Sequence, residues 1–520
     1  MQQKIPFDQA VSVGRSVRVR NSVNGGALYE SAAQTRRTIG WRAPTSTPNG
    51  AIISNLVTLR DRSRAATRND GYAKGIIRLM VSNIIGTGIT PLSQAPKELL
   101  VPDPRTGESV PFRKIIGELF LAWTDESDAD GVLDFYGQQS QAARCWLEAG
   151  EVFVRLRPRF LSDGLTVPLQ VQVIEPEMCP HTYDTTLESG NLVRAGIEFD
   201  AIGKRVAYWF YQSRPGDLMV GDYLNLRRVP AESVRHIYIP ERAGQLRGVP
   251  WLTQALNRLF NLDKYDDATL LRQQLANMFV GFVTRPATLG DVEATNPLTG
   301  LGLNEDAEGH DLVPLEPGLF QELNPGEGVT FSDPPKVQGY AEYTKQQLQH
   351  ACVAAGIPYE LVTGDMTGVN DRTVRVILQE FRRGIQALQH QIIAFQFCRP
   401  LYTAWLDRVF VSGALEIPSD YTSQPEPWRR VKWQPQAWAY IQPVQDVEAM
   451  KDAVRAGFTT RSAVVSEQGE DAATIDEEQK ADNDRADALG LPYESDARVA
   501  LKASSSPGQE IVAQELKRGA

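Results

Sequence analysis

Cysteine and histidine are scarce in this chain, at four and five of 520 residues, and neither stands at a spacing that chemistry uses. Cys145, Cys179, Cys352 and Cys398 lie far apart with no C-x-x-C pair, so neither a zinc knuckle nor a disulfide framework is expected, only reduced, mostly buried thiols. His181, His236, His310, His350 and His390 never form H-E-x-x-H, and there is no G-x-S-x-G elbow for a hydrolase. The G-x-x-x-x-G-K-[ST] loop that a packaging ATPase or helicase needs to cradle phosphates is missing. Gly86 and Gly88, like Gly300 and Gly302, lack the other members of a dinucleotide fingerprint and read as turns. Long apolar runs are also absent: the most apolar stretch, Gly75 to Ile89, is interrupted by Arg78, Ser82 and Asn83 and is too short to cross a bilayer. Met1 to Val23 carries four basic residues and no apolar run, unlike a secretory signal. The expectation is a soluble protein made inside a cell, with no cofactor, no metal, no membrane and no catalytic activity.

Hydrophobic residues make up 42% and charged residues 23%, ordinary values for a globular protein, and the length calls for more than one packed region. The net charge of −10 argues against a protein whose main task is gripping phosphates. The balance is uneven, with a basic first 70 residues and an acidic stretch from Glu467 to Asp496. Solvated surfaces of opposite sign explain this, as would an arm and a rim that meet different partners.

Along the chain, residues 1–45 are polar and rich in Gly, Ser and Arg and read as an arm. Helices are predicted over Leu56 to Thr67, Tyr72 to Ile85, Pro111 to Asp125 and Phe135 to Ala149, the last ending at Gly150. The period then becomes alternating in Glu151 to Arg157. Leu169 to Ile174, Arg205 to Tyr211 and Val234 to Ile239 share the strand signal, giving a mainly antiparallel sheet on helices, an α+β layer. A long helix follows from Pro250 to about Phe279, then a Pro- and Gly-rich segment over 280–336 that fits a small β-rich tip, then a helix over 337–355. A polar loop, Gly356 to Asp371, leads into a long helix from Arg372 to about Val411. Its apolar residues Val374, Ile377, Leu378, Phe381, Ile385, Leu388, Ile392 and Phe395 form a packing seam. The opposite stripe, Arg372, Arg375, Gln379, Arg382, Gln386 and Gln389, is expected to face solvent. Ser419 to Pro443 reads as packed extended chain. Helices return over Val444 to Ala456, Thr460 to Glu467 and Ile475 to Leu489, before a frayed tail.

Candidate chemistry is thin. Asp263, Asp266 and Asp267 could bring carboxylates together for a divalent ion, as in a metal-dependent nuclease, but no second Asp/Glu/His cluster supports them and an acidic exposed helix face is the plainer reading. His350 and Cys352 are two residues apart on one helix and point to different faces.

The order of parts resembles the lambda family of bacteriophage portal proteins. The similarity rests on Arg64 to Ala73 (RAATRNDGYA) followed by Asn83 to Ile89 (NIIGTGI), on Arg247 to Leu252 (RGVPWL), on Leu315 to Gly318 with Leu323 to Glu327, and on Gly356 to Asp365 (GIPYELVTGD). The resemblance implies the α+β portal-protein fold: a flexible arm over 1–45, a wing over 46–249, stem helices over 250–279 and 337–355, and a clip over 280–336. A tunnel loop over 356–371, a long tunnel helix with a returning wing segment over 372–443, a helical crown over 444–496 and a tail over 497–520 complete it. It implies a structural role and not an enzyme: a ring, dodecameric in the particle, at one capsid vertex of the virion, assembled in the host cytoplasm. Its partners would be double-stranded DNA in the channel, the terminase large subunit, the head-to-tail adaptor, and the major capsid and scaffold proteins. Asp365, Met366, Thr367, Gly368, Val369, Asn370, Arg372 and Arg375 would then face the DNA channel. A capsid, scaffold or adaptor subunit fits less well, because two stem-like helices flank a tip.

Overall fold

The computed structural model of the chain describes residues 40, 45–96, 98–104, 106–216, 225–277, 281–284, 328–331, 339–440 and 442–491. The expected arm therefore lies, but for residues 40 and 45, outside the described residues, and so do the tail and most of the expected clip. The elements named below all belong to the unit Pro48–Ala520.

Three helices open the unit: α1 (Pro48–Ile53), α2 (Leu56–Asn69) and α3 (Gly71–Ile84). The Asn-Asp-Gly punctuation separates the last two because the Asp70 carboxylate accepts from the Tyr72 and Ala73 amides, at 2.7 and 3.1 Å, and so caps α3. Short strands β1 (Thr90–Ser93), β2 (Leu100–Pro102) and β3 (Ser109–Pro111) lead to α4 (Phe112–Thr124) and α5 (Phe135–Ala149). Helix α5 starts where Asp134 accepts from the Gly137 amide and stops at Gly150, which has φ of +89°. A side chain there would collide with the backbone of Val249, and one at Gly248 would strike Gly150, so the two glycines let these segments touch.

The strands that follow are β4 (Glu151–Pro158), β5 (Leu169–Ile174), β6 (Thr185–Thr186), β7 (Leu192–Arg194), β8 (Ile197–Phe199), β9 (Arg205–Tyr211), β10 (Leu226–Pro230) and β11 (Val234–Tyr238). They divide between two antiparallel sheets, ordered β11-β4-β5 and β10-β9-β8-β7-β6. The alternation in the sequence located the long strands correctly but did not show that Arg205–Tyr211 leaves the first sheet for the second. The second sheet is completed by strands of two or three residues, too short to carry a period. A small core of Phe153, Tyr208, Phe210, Val229 and Val234 packs the β11-β4-β5 sheet against the other.

The chain then winds through turns at Trp251–Ala255 into α6 (Leu256–Asn277), so the regular helix begins six residues later than the sequence suggests. Strands β12 (Gly281–Thr284) and β13 (Gly328–Phe331) pair antiparallel, and α7 (Tyr340–Ala355) returns beside α6. Arg258 donates to Gln347 at 3.2 Å and Tyr340 donates to Asp266 at 2.9 Å, which sets the two helices antiparallel.

After α8 (Tyr359–Thr363), the long helix consists of α9 (Asp371–Leu388), a π-helical stretch over Gln389–Cys398, and α10 (Arg399–Ser412). The π register leads up to Pro400, which has no N–H to donate and whose ring would press on the carbonyl four residues back in a regular α-helix. This corrects the expected seam at its end: the wider turn rotates Phe395 outward to 61% exposure while Ile393, Phe397 and Cys398 are buried. The buried face meets α3, α4 and α5 in the main core, where Phe120, Trp123, Phe135, Tyr402 and Trp405 pack edge-on or tilted.

The short α11 (Glu426–Arg429) and β14 (Val431–Gln434) follow, and β14 pairs antiparallel with β1. Helices α12 (Pro443–Arg455), α13 (Arg461–Glu467) and α14 (Ala472–Leu489) close the described chain, near the ranges read from sequence. All four thiols are free, and burial pushes those of Cys179 and Cys352 up to about 11. No helix among the described residues is long and apolar enough to cross a membrane.

Candidate functional site

The segment singled out by sequence runs from the end of α7 to the first turns of α9. Gly356, at φ +66°, ends α7, and the Ile357 amide donates back to Cys352 at 3.0 Å. What reads as one polar loop contains the helical turn α8, closed by Gly364 at φ +72°. Asp365 then gathers the loop: its carboxylate accepts from Lys345 Nζ on α7 at 2.9 Å, from the Thr367 amide at 3.0 Å, and from the Thr367 and Tyr359 hydroxyls. The Thr367 hydroxyl and then the Lys345 ammonium hold this carboxyl well below the usual carboxylate range. At the other end Asn370 caps α9 by accepting from the Thr373 amide at 2.9 Å, and Asp371 accepts from Gln442 at 2.6 Å.

The eight residues expected at the channel thus divide by task. Met366, Thr367 and Gly368 form the exposed tip, with Val369 half-buried behind it. Asp365 and Asn370 anchor the two ends of the loop. Arg372 is exposed on the first turn of α9, while Arg375 is half-buried with one guanidinium nitrogen that has no partner among the described residues.

The stripe on α9 is not the open line its spacing suggested. The segment 432–440 folds over it and encloses, with α12, a cavity of about 890 Å³ lined by Arg375, Gln379, Arg382, Gln386 and Gln389. Arg382 donates to the Ala439 carbonyl at 3.3 Å and lies 5.4 Å from the Trp438 ring centre. Gln389 is buried and donates to the carbonyls of Asn83 and Ile84. The tryptophans of this segment supplied a signal for the cover, since an aromatic and a guanidinium stack well, but nothing in the sequence said which helix they would reach.

Sequence reasoning missed a second constellation. Glu151, fully buried at the start of β4, accepts from Arg60, from Arg247 Nε at 2.6 Å, from His236 at 2.8 Å and from the Gly248 amide at 2.9 Å. Burial pushes its pKa up, but the Arg247 and Arg60 charges outweigh that and hold it well below the ordinary carboxylate range. Burial pushes His236 down to about 4 despite its bond to Glu151. Arg205 donates to the other ring nitrogen, so His236 is the neutral tautomer that donates to Glu151. Arg247 also donates to the carbonyls of Pro176, Cys179 and Ala195. The group therefore joins α2, both sheets and the strand-to-stem turn, the place where the RGVPWL string falls. It is a structural clasp, since Glu151, Arg60 and Arg247 are buried and paired with one another, while Arg205 and His236 also border an open cleft of about 550 Å³.

The aspartates of α6 do not assemble further: Asp266 is held by Tyr340, Asp263 and Asp267 are exposed, and no cluster of three or more potential metal ligands occurs among the described residues.

Comparison with known proteins adds the family. The chain is 27% identical over 483 residues to the probable portal protein of Halomonas phage phiHAP-1, covering 89% of this chain and 88% of that one. It is 20% identical over 501 residues to the portal protein of Escherichia phage N15, covering 91% and 92%. Among solved structures, a chain from the neck of an empty GTA particle aligns over 84% of this chain and 94% of its own, at 12% identity and a TM-score of 0.46. The family described as "Phage portal protein, lambda family" matches residues 34–389, well over half of the sequence. The chain therefore belongs to the lambda family of phage portal proteins, whose general role is to form the channel for DNA packaging.

Proposed function

We propose that the chain assembles head to tail into a closed ring of twelve at one vertex of the virion head, after assembly in the host cytoplasm, and serves as a passive conduit without catalysis. Residues 46–249 act as the wing, 250–279 and 337–355 as the stem, 280–336 as the clip, and 444–496 as the crown. The clip docks the terminase large subunit and later the head-to-tail adaptor, and the wing meets the capsid and scaffold proteins. The observation that carries this reading is the antiparallel pair α6 and α7, continued by the β12–β13 ladder. Phe260, Leu270 and Leu271 of α6 and Val353 of α7 are more than half exposed in the single chain, as unpaired apolar side chains that a neighbouring subunit would cover.

Double-stranded DNA passes without sequence specificity. The loop tip Met366 to Gly368 with Arg372 faces it, and a net charge of −10 keeps phosphate contacts few enough not to brake its movement. Native mass spectrometry with negative-stain imaging tests the ring: closed particles of about 690 kDa, twelve times 57.6 kDa, with a central hole are expected, and a stable monomer overturns it. In packaging assays Arg372→Ala is expected to reduce DNA retention, and unchanged retention removes the channel role of this arginine.

A further inference from the structure

The small core between the two sheets does not close at its outer end. On β4 the face that carries Phe153 into that core continues, two residues at a time, to Arg155 and Arg157. On β10, Arg227 stands in register with Phe210 of β9. The three arginines line a cleft of about 430 Å³ whose apolar wall includes Ile174, Met178, Phe210 and Val229. Among the described residues its one acidic lining residue, Glu175, is already paired with Arg214 and Arg64. The side chains of Arg155, Arg157 and Arg227 have no hydrogen bond or ion pair among the described residues, whereas Arg60 and Arg247 are paired with Glu151. Burial, and then the positive charges of Arg157 and Arg227, hold the Arg155 guanidinium below its ordinary range.

The Arg155 guanidinium thus shares the cleft with two further positive charges and no free acid among the described residues, and a bound anion would relieve the repulsion it feels. We propose that this cleft is a docking site for an acidic polypeptide segment, with a carboxylate held by Arg155, Arg157 and Arg227 and an adjoining apolar side chain packed on Phe210 and Val229. Guanidinium forks match carboxylates in geometry, and the volume suits one or two side chains. The apolar wall favours a peptide over a phosphodiester backbone, which would leave that wall uncovered. The site goes beyond the channel reading and does not depend on it, since peptide binding can be measured whether or not rings form.

The test uses the full chain and a fluorescein-labelled decapeptide of alternating glutamate and leucine, read by fluorescence anisotropy, with the glutamine-leucine peptide as control. Binding of the acidic peptide alone is expected, weakened roughly tenfold or more by Arg155→Gln with Arg227→Gln. The same substitutions are expected to raise the Tm of the unliganded protein, because they remove repulsion; a structural arginine would lower it. Should the double variant fail to fold, Arg227→Gln alone, at an exposed position, carries the same expectation with a smaller effect. Equal binding by wild type and variant overturns the proposal. So does displacement of the peptide by inorganic phosphate at equal concentration, or tighter arginine-dependent binding of a ten-base-pair DNA duplex, which would assign the cleft to phosphate.

Discussion

The junction around Glu151 and the loop around Asp365 both place a carboxylate among cationic or hydroxyl partners, yet they stand at opposite ends of the dielectric range. Glu151, Arg60 and Arg247 are all but inaccessible, whereas the Lys345 and Asp365 side chains keep 42% and 29% of their exposure. Buried charges cannot be left half-paired, because each carries a desolvation penalty that only its partners offset. Exposed ones exchange their partners for water at little cost. The contrast teaches where this fold fixes geometry and where it leaves it adjustable. The turn that launches α6 is locked to both sheets, and the loop tip Met366 to Gly368 is held only at its ends.

The comparison can be broken most strongly at the buried end. Glu151→Ala, which strands Arg247 and Arg60 in the interior, is expected to lower stability by about 3–5 kcal/mol, and Arg247→Met by a similar amount, both read from denaturant midpoints. If either changes stability no more than a surface substitution does, the clasp is not what holds the wing to the stem.

Proton linkage gives the next effect. His236 has a folded pKa of about 4, below its unfolded value near 6.5, so between these pH values the unfolded chain binds the extra proton. Stability is therefore expected to fall as pH drops from about 6.5 towards 4, by up to about 3 kcal/mol. His236→Gln, which keeps a donor towards Glu151, should flatten that part of the profile; an unchanged slope would assign the acid sensitivity to other groups.

The smallest effects belong to the loop. Asn370→Ala removes the cap of α9 and is expected to cost about 1 kcal/mol. Lys345→Ala, which breaks an exposed pair, should cost less still. Hydrogen exchange of the amides in 364–371 is expected to quicken in both variants while the sheets stay protected, and a global change would show that the loop is coupled to the core.

Much of the local structure was legible because it obeys short-range rules. Gly150 and Gly356 as stops, and the alternation of Glu151 to Arg157, depend on neighbours within a few residues. What went astray involved longer range or a change of helical register. The seam failed at Phe395 because the π turn before Pro400 shifts the period. The arginine stripe of α9 was expected to be open because the chain that covers it arrives some fifty residues later. Of the eight loop residues, the sequence located the segment but could not say that Asp365 and Asn370 would be anchors while Met366 and Thr367 are displayed. That division depends on Lys345, a helix away.

By itself, then, the sequence determined the order of helices and strands, the lack of any catalytic or metal-binding spacing, and, through its ordered strings, the portal family. The tertiary structure alone decided that Glu151, Arg60, His236 and Arg247 meet, that β9 joins a second sheet, and that Arg155, Arg157 and Arg227 share a cleft. The physical reason is that capping and periodicity act within a turn or two of chain. Charge pairing and burial act through space between residues far apart in the chain, as the 96-residue separation of Arg247 from Glu151 shows.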